Sequence, residues 1–202
     1  MKILALIPAY KIMDVAAVQS LLGFQSGVYN KGDKLEIVFV YGFNAAKART
    51  KLLSYAASKK DVDYVINIDS DHIVKASDMY KLIKKLERNN LDMLSAGYLV
   101  RSTAGRTYAH GKFRKNGTFR KLNETKKRGL IDCDVLGFGF LLMKHSFVKR
   151  MVKKYGEDLF LMDSGNNGTE DVYFCRQCKK EGVRICFDAD TMVGHITSVV
   201  QI

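Results

Sequence analysis

Two aspartates separated by a single residue follow a strand-like segment in the first half of the chain. Asp69 and Asp71 come directly after Val62–Ile68, which is rich in Val, Ile and Tyr. Because side chains alternate along a strand, both carboxylates project to the same side as the chain leaves the sheet. Like charges this close repel unless a cation lies between them, and Mg²⁺ or Mn²⁺ takes carboxylates together with water and phosphate oxygens. The spacing therefore predicts a divalent-metal site, with a solvated turn that caps the next helix as the alternative.

Two further groups of polar residues near the carboxyl-terminal end could contribute chemistry. Glu170 and Asp171 follow a stretch rich in Gly and Asn and begin a predicted helix, whose dipole stabilises carboxylates at that end. Stabilisation of the helix start is by itself a sufficient explanation for this pair. His195 lies among apolar residues, where a buried structural histidine is commoner than a ligand. Taken alone, neither group predicts a catalytic role.

The first half of the chain alternates between strand-like and helical segments. Asp14, Asn44 and Ser77 each precede a segment with helical spacing of apolar residues and are predicted to cap those helices. Near-continuous apolar strands that alternate with helices predict a parallel α/β sheet covered on both faces, with ligands at the carboxyl ends of the strands. The predicted strands are Lys2–Ile7 (ended by Pro8), Leu35–Tyr41, Val62–Ile68 and Leu91–Ala96, and the second helix is predicted at Ala45–Ser58.

After Gly97 the pattern changes to shorter, mixed elements. An Asn116-Gly117 turn between two aromatic-bearing arms predicts a β-hairpin within residues 106–124. The remaining predictions are strands at 131–135, 138–143 and 183–187, and helices at 146–155 and 170–181, the second ended by Gly182. We expect a single domain spanning residues 1–202, with an α/β half at 1–96 and an α+β half at 97–202.

The positive charge of the chain is concentrated around the predicted hairpin. The net charge is +12, and residues 101–130 hold ten Lys or Arg residues against one acid. Aromatic residues are interleaved with these cations, a combination that suits nucleic-acid binding, because rings stack on bases while cations contact phosphates. A solvated hairpin, an anionic acceptor or a membrane surface are the alternatives for residues 101–130.

Composition favours an ordinary globular protein of a reducing compartment. The chain is 47% hydrophobic and 27% charged, which is too apolar for a disordered protein and too interrupted for a membrane protein. Its longest apolar runs are too short to cross a bilayer or to form a signal peptide, so we expect a cytoplasmic location, the host cytoplasm if the protein is viral. Four cysteines in such a chain do not indicate a disulfide scaffold.

Taken together, the motifs resemble those of a known enzyme family. Ile7–Tyr10, Ile68–Asp71, Gly137–Leu142, Thr169–Asp171 and Gly194–His195 occur in the order seen in nucleotide-sugar-dependent glycosyltransferases of the GT-A fold, particularly small family-2-like enzymes. The resemblance covers nearly the whole chain. It implies an α/β fold with a Rossmann-like mixed sheet flanked by helices and a smaller acceptor-side lobe. Small single-domain enzymes of this type occur in viruses and phages as well as in microbes.

The resemblance also implies roles for individual residues. A nucleotide-diphospho-sugar donor and a Mn²⁺ or Mg²⁺ ion would bind at the strand ends, and the acceptor would be a glycan, a protein or a lipid-linked molecule. Asp171 would be the catalytic base, and Glu170 would hold the acceptor hydroxyl. The implied metal-site residues are Asp71, Asp69 and His195, and the implied donor-binding residues are Pro8, Ala9, Tyr10, Asn44, Arg49, Asp69 and Ser70.

The resulting hypothesis is a metal-dependent, hexosyltransferase-like enzyme that inverts the anomeric configuration of the transferred sugar. Retention of that configuration is left open. The alternative is a non-enzymatic nucleic-acid-binding protein that uses residues 101–130. That alternative gives no role to Asp69, Asp71, Glu170 and Asp171, whose charges would repel a phosphate backbone. The sequence therefore favours the transferase.

Overall fold

The structure is a computed structural model that describes residues 1–100, 107–123, 128–162 and 168–196. The helices are α1 (Val15–Tyr29), α2 (Ala45–Ser58), α3 (Ala76–Arg88), α4 (His145–Tyr155) and α5 (Glu170–Lys180), with a short 3₁₀ helix at Gly156–Leu159. The strands are β1 (Lys2–Ala9), β2 (Lys34–Tyr41), β3 (Tyr64–Ile68), β4 (His72–Ile73), β5 (Met93–Gly97), β6 (Thr107–Phe113), β7 (Phe119–Asn123), β8 (Leu130–Asp132), β9 (Phe140–Lys144), β10 (Cys186–Met192) and β11 (Gly194–His195).

A seven-stranded mixed sheet forms the centre of the molecule, in the order β2-β1-β3-β9-β5-β10-β8. β1 pairs in parallel with β2 and β3, and β10 pairs in parallel with β5. β9 is antiparallel to both β3 and β5 and lies between them. The four strands predicted in the first half of the chain therefore run in one direction, as the alternating pattern predicts, but β9 from the second half separates β3 from β5. The mixed sheet expected from the family resemblance is confirmed.

β1 continues through Pro8, contrary to the expectation that this residue ends the strand. Pro8 is paired with Val40 of β2, whereas the pairing of β1 with β3 ends at Leu6 and Asn67. Proline has no backbone N–H to donate, so it fits a strand only where that hydrogen bond is not needed. Pro8 meets this condition because β3 no longer pairs with β1 beyond Leu6. Pro8 and Ala9 thus extend β1 to the edge of the sheet where ligands are expected.

Helices cover both faces of the sheet and enclose two apolar cores. One core contains the buried side chains of α2 and α4, and the other contains those of α1 and α3. The predicted caps are confirmed for α1 and α2, where Asp14 accepts from the N–H of Ala16 and Asn44 from that of Lys47. The predicted cap at Ser77 is wrong, because α3 begins at Ala76 and Ser77 lies in its first turn.

The hairpin predicted around Asn116-Gly117 is confirmed within the residues described. β6 and β7 pair antiparallel, and Gly117 takes the left-handed backbone conformation with φ at +81°. His110 of β6 fastens the hairpin to the sheet, because one ring nitrogen bonds the Ala96 carbonyl and the other accepts from the N–H of Gly137. Burial lowers the pKa of His110 to about 3, so the ring is neutral. Arg101, Arg106, Lys126 and Lys127 of the basic segment lie outside the described residues.

The carboxyl-terminal strand is displaced from its predicted position at 183–187. Gly182 ends the last helix in a left-handed conformation, and the N–H of Val183 bonds the Cys178 carbonyl, so these residues form the helix cap. β10 then begins at Cys186. All four cysteines are buried thiols. None of the helices described here is both long and apolar enough to span a membrane.

Candidate active site

The candidate site lies where β1 and β3 end, at the carboxyl edge of the parallel strands. Asp69 directly follows β3, and its backbone N–H bonds the Gly139 carbonyl at 3.1 Å. Asn67, the penultimate residue of β3, donates its side-chain amide to the Phe138 carbonyl and to Asp69. These bonds tie the end of β3 to the loop that precedes β9. The pairing of β3 with β9 therefore fixes the position of Asp69.

Asp71 lies beside two histidines, one next to it in the chain and one far away. The Nδ1 atom of His72 is 2.8 Å from one carboxylate oxygen of Asp71, and Nε2 of His195 is 3.6 Å from the other. The short strands β4 and β11 pair antiparallel and place His195 opposite His72, with their rings stacked at 4.5 Å. Burial raises the pKa of Asp71, but the adjacent His195 and His72 outweigh burial and hold it well below the usual value.

The ligand atoms of Asp71, His72 and His195 lie within 4.8 Å of one another, which could accommodate a metal ion. His195 is oriented for this role, because its Nδ1 bonds the Leu99 carbonyl at 2.8 Å. A neutral imidazole that donates from Nδ1 carries its lone pair on Nε2, the atom that faces Asp71. Backbone anchoring of one ring nitrogen is typical of histidines that bind metals through the other.

Two glycines make room for the rings beneath this cluster. A Cβ atom on Gly139 would collide with Nε2 of His72, and one on Gly137 would collide with the hydroxyl of Tyr98. The Tyr98 hydroxyl accepts from the N–H of Gly139, and its ring packs edge-on against both histidines. The glycines of the predicted Gly137–Leu142 motif are thus explained by the volume that the site requires.

Arg49 is buried in α2 and gathers three carboxylates from distant parts of the chain. Its guanidinium binds both oxygens of Asp69, at 3.0 and 3.3 Å, and its Nε donates to Glu170 at 3.1 Å. Asp171 lies 3.5 Å from the same Nε. Burial lowers the pKa of Arg49, but the charges of Asp69, Asp171 and Glu170 together outweigh that effect and raise it above its usual value. Asp69 therefore belongs to an arginine-centred cluster, beside the cluster of Asp71 and the histidines.

Glu170 and Asp171 have different surroundings although they are adjacent at the start of α5. Glu170 is buried and hydrogen-bonded to Arg49. Asp171 is half-buried, and its Oδ1 atom is shielded from solvent without a hydrogen-bond partner. Burial and the charges of Glu170 and Asp69 raise the pKa of Asp171 well above its usual value, although Arg49 opposes this rise. A carboxyl group held in this way is suited to accept a proton.

Two clefts open on either side of the acidic residues, and both are lined by Asp69 and Asp71. The first cleft has a volume of about 240 Å³, and the second cleft has a volume of about 420 Å³. Other residues lining the first cleft include Pro8, Ala9, Tyr10, Phe43, Arg49 and Ser70. Other residues lining the second include Tyr98, Phe119, Lys121, Leu136, Asp171 and His195.

The structure brings together most of the residues singled out in the sequence. Asn44 is an exception: its side chain caps α2, and the residue lines a separate depression beside Phe160 and Leu161. Phe43 and Tyr98 line the clefts but were not predicted. Each follows the carboxyl end of a strand, β2 and β5 respectively, so the positional rule that selected Asp69 could have found both.

Sequence comparison assigns the chain to a family. The model of the family described as "Glycosyl transferase family 2" matches residues 24–151, which is more than half of the chain. The chain belongs to glycosyl transferase family 2. No curated protein sequence matches it significantly.

Solved structures show that this glycosyltransferase has the GT-A fold. A197 from the virus STIV superposes with a TM-score of 0.67 at 20% identity, over 98% of this chain and 87% of that one. GalNAc-T7, determined with UDP, GalNAc and Mn²⁺, gives 0.63 at 12% identity over 98% of this chain. The match covers only 43% of the GalNAc-T7 chain. A Drosophila β1,4-galactosyltransferase 7 mutant, determined with manganese, UDP-Gal and xylobiose, gives 0.55 at 14% identity over 98% and 72% of the respective chains.

Proposed function

We propose that this family 2 enzyme is metal-dependent and transfers a hexose from a nucleoside-diphosphate sugar to an acceptor hydroxyl. The proposal rests mainly on the two clefts that meet at Asp69 and Asp71. A transferase needs one site for the donor and one for the acceptor, with the bond that breaks at their junction. The carboxylates stand at this junction, where charge develops on the leaving diphosphate.

The residues at the junction fit a divalent ion. Asp71 offers a carboxylate oxygen and His195 an imidazole nitrogen 3.6 Å away, a separation that two ligands of one ion can have. A set that includes imidazole favours Mn²⁺ over Mg²⁺, which prefers oxygen ligands. When bound, the ion would neutralise charge on the diphosphate as a Lewis acid. His72 supports Asp71 from the buried side.

We assign the first cleft to the donor. Tyr10 and Phe43 provide aromatic surfaces for the base, and Pro8 and Ala9 provide backbone at the end of β1. Asp69 and Ser70 lie where the ribose or the sugar hydroxyls would bind, and Arg49 fixes the orientation of Asp69 through two hydrogen bonds. Asn44 acts on this cleft indirectly, by capping the helix that carries Arg49.

We assign the second cleft to the acceptor and Asp171 to the role of base. Asp171 lines that cleft, and its raised pKa suits the removal of a proton from the acceptor hydroxyl as the hydroxyl attacks the sugar. Such a direct attack inverts the configuration at the anomeric carbon of the sugar. Glu170 faces Arg49 instead of the cleft, so we assign it the role of positioning that arginine.

The relatives support a uridine nucleotide and a hexose. The GalNAc-T7 structure contains UDP, GalNAc and Mn²⁺, and the Drosophila structure contains UDP-Gal with manganese. Phe119 and Lys121 of the hairpin line the second cleft, which favours an acceptor with an anionic group over a role for the hairpin in nucleic-acid binding alone. The acceptor could be a glycan, a protein or a lipid-linked molecule.

Thermal unfolding with nucleotides and metal ions tests this proposal. We expect UDP and Mn²⁺ together to raise the melting temperature by about 5–10 °C at a hundredfold excess over the dissociation constant, and each alone to do much less. Asp71→Asn and His195→Ala should both remove the rise. Asp158→Asn, at an exposed aspartate of the 3₁₀ helix, is the matched control and should keep it. A rise that persists in Asp71→Asn would contradict the metal assignment, and tight oligonucleotide binding without any nucleotide effect would favour the alternative.

A further inference from the structure

α1 has an unusual composition for a surface helix. Its sequence, VAAVQSLLGFQSGVY, contains no charged residue, whereas each of the other four described helices carries several. The inner side packs on the sheet through Ala17, Leu21, Phe24 and Val28. The outer side is uncharged and carries large apolar side chains beside polar Gln19 and Ser26: Val15 is 82% exposed and Leu22 is 59% exposed. A helix with apolar side chains on both sides and no charge suggests a second partner for the outer side.

The outer apolar side of α1 leans towards the edge of the sheet. Ser20 bonds the His72 carbonyl and the N–H of Val74, so this flank of α1 faces the β4–α3 segment. Residues two positions apart on a helix point to nearly opposite flanks. Val18 and Leu22, two positions before and after Ser20, therefore point away from α3. They therefore lie on the flank next to β2, which forms one edge of the sheet among the described strands.

β2 adds aromatic side chains to the same surface. Leu35 and Ile37 face the α1 side of the sheet, so by alternation Phe39 and Tyr41 do too. Tyr41 is 77% exposed, and Ile12, just before α1, is 85% exposed. We define the α1–β2 face as Ile12, Val15, Val18, Leu22, Phe39 and Tyr41.

Lysines border the α1–β2 face. Lys47 and Lys51 lie over the ring of Phe43, at 5.2 and 5.0 Å, and Lys11 lies over that of Tyr10. Lys31 follows the end of α1. No carboxylate among the described residues lies within ion-pair distance of any of these four lysines. A groove of about 440 Å³ joins Phe39, Tyr41, Phe43 and Lys51, and Phe43 also lines the first cleft.

We propose that the α1–β2 face docks on an anionic lipid surface. Apolar and aromatic side chains would enter the boundary between headgroups and acyl chains, while the bordering lysines contact the lipid phosphates. Charge argues for this partner over a second copy of the chain. Each molecule carries a net charge of +12, and self-association through this face would bring bordering lysines towards one another.

Vesicle flotation tests the docking. The wild-type protein should float with vesicles of phosphatidylcholine and phosphatidylserine, and far less with phosphatidylcholine alone. Val18→Asp combined with Leu22→Asp should weaken binding at least about tenfold, because the vesicle no longer buries these two apolar side chains. Lys149→Ala combined with Lys153→Ala makes the same change in net charge on the exposed side of α4, across the sheet, and should retain most of the binding. Equal binding by the two double variants would overturn the proposal.

A single tryptophan provides an independent readout that does not depend on loss of binding. The chain contains no Trp, so Leu22→Trp introduces the sole indole, at an exposed position. We expect its fluorescence to shift to shorter wavelength on anionic vesicles and to be quenched by brominated lipids, whereas Lys153→Trp on α4 should show neither effect. Vesicle binding without a change at position 22 would overturn the proposal. So would light scattering that shows a wild-type dimer converted to a monomer by the Val18→Asp, Leu22→Asp variant.

Discussion

At the scale of single residues, the site gives two neighbouring carboxylates different partners. Asp69 is held by Arg49, whereas Asp71 is held by His72 and His195, although only one residue separates the two aspartates. The alternation along the strand predicted that both would leave the sheet on the same side. It could not predict their different partners, because Arg49 and His195 reach the site from elsewhere in the chain.

The raised pKa of Asp171 predicts a gain in stability when the charge is removed. The folded protein holds this proton more tightly than the unfolded chain, so the stability contributed by the group falls as pH rises from about 4, the usual carboxyl value, through the raised pKa. We therefore expect Asp171→Asn to be more stable than the wild type by about 1 kcal/mol near neutral pH, with the difference vanishing below about pH 4. Urea unfolding at a series of pH values measures this difference.

Glu170→Gln is the matched comparison for Asp171→Asn. Glu170 accepts a charge-assisted hydrogen bond from buried Arg49, so its replacement should lower stability, while Asp171 has no such bond at Oδ1. Release of UDP from UDP-sugars should be lost in Asp171→Asn, with the stabilisation by UDP and Mn²⁺ retained. A wild-type rate in this variant would exclude Asp171 as the base, and a stability below that of the wild type at neutral pH would contradict the pKa argument.

At the scale of elements, local signals place the helices, with an error of a residue or two at the start of α3, but do not specify the strand partners. The start of α2 follows from Asn44, whose side chain caps the helix in the structure as its sequence position predicts. The pairing of β11 with β4 joins residues 195 and 72, and nothing in either short segment specifies the other. The insertion of β9 between β3 and β5 is equally non-local, because an apolar segment indicates a buried strand without indicating its neighbours.

The loop before β9 is predicted to be critical for the cluster of Asp71 with His72 and His195. A Cβ atom at Gly139 would displace the His72 ring, and His72 holds Asp71. We expect Gly139→Ala to destabilise the protein by about 1–3 kcal/mol, as overpacking usually does, and to remove the stabilisation by UDP and Mn²⁺. Gly23→Ala is a suitable control, since no atom lies within 4 Å of the added Cβ in the middle of α1. It should raise stability by about 0.5–1 kcal/mol. Thermal unfolding with and without the ligands distinguishes the two variants. An undisturbed ligand response in Gly139→Ala would show that the loop can move enough to accommodate the added methyl group.

At the scale of the whole molecule, charge and chemistry are kept apart. The positive charge lies mainly in and around the hairpin, while the junction of the clefts is built from carboxylates held by Arg49 and by two histidines. The net charge of +12 is therefore a poor guide to the proposed catalytic centre. We propose that it serves two surfaces that meet partners instead: the hairpin beside the second cleft and the lysines that border the α1–β2 face.

The sheet order predicts that the two halves of the chain unfold together. Leu142 of β9 is fully buried and is paired with Ile66 of β3 on one side and Leu94 of β5 on the other, so it joins two strands from the first half of the chain. We expect Leu142→Ala to lower the free energy of unfolding by about 2–5 kcal/mol in a single urea transition. Leu161→Ala, at a 40% exposed leucine, should change it by no more than about 0.5 kcal/mol. Coincident transitions by circular dichroism and tyrosine fluorescence would support this cooperativity. A second transition that Leu142→Ala leaves in place would show that one half folds without β9, and that residues 1–96 and 97–202 are separable units.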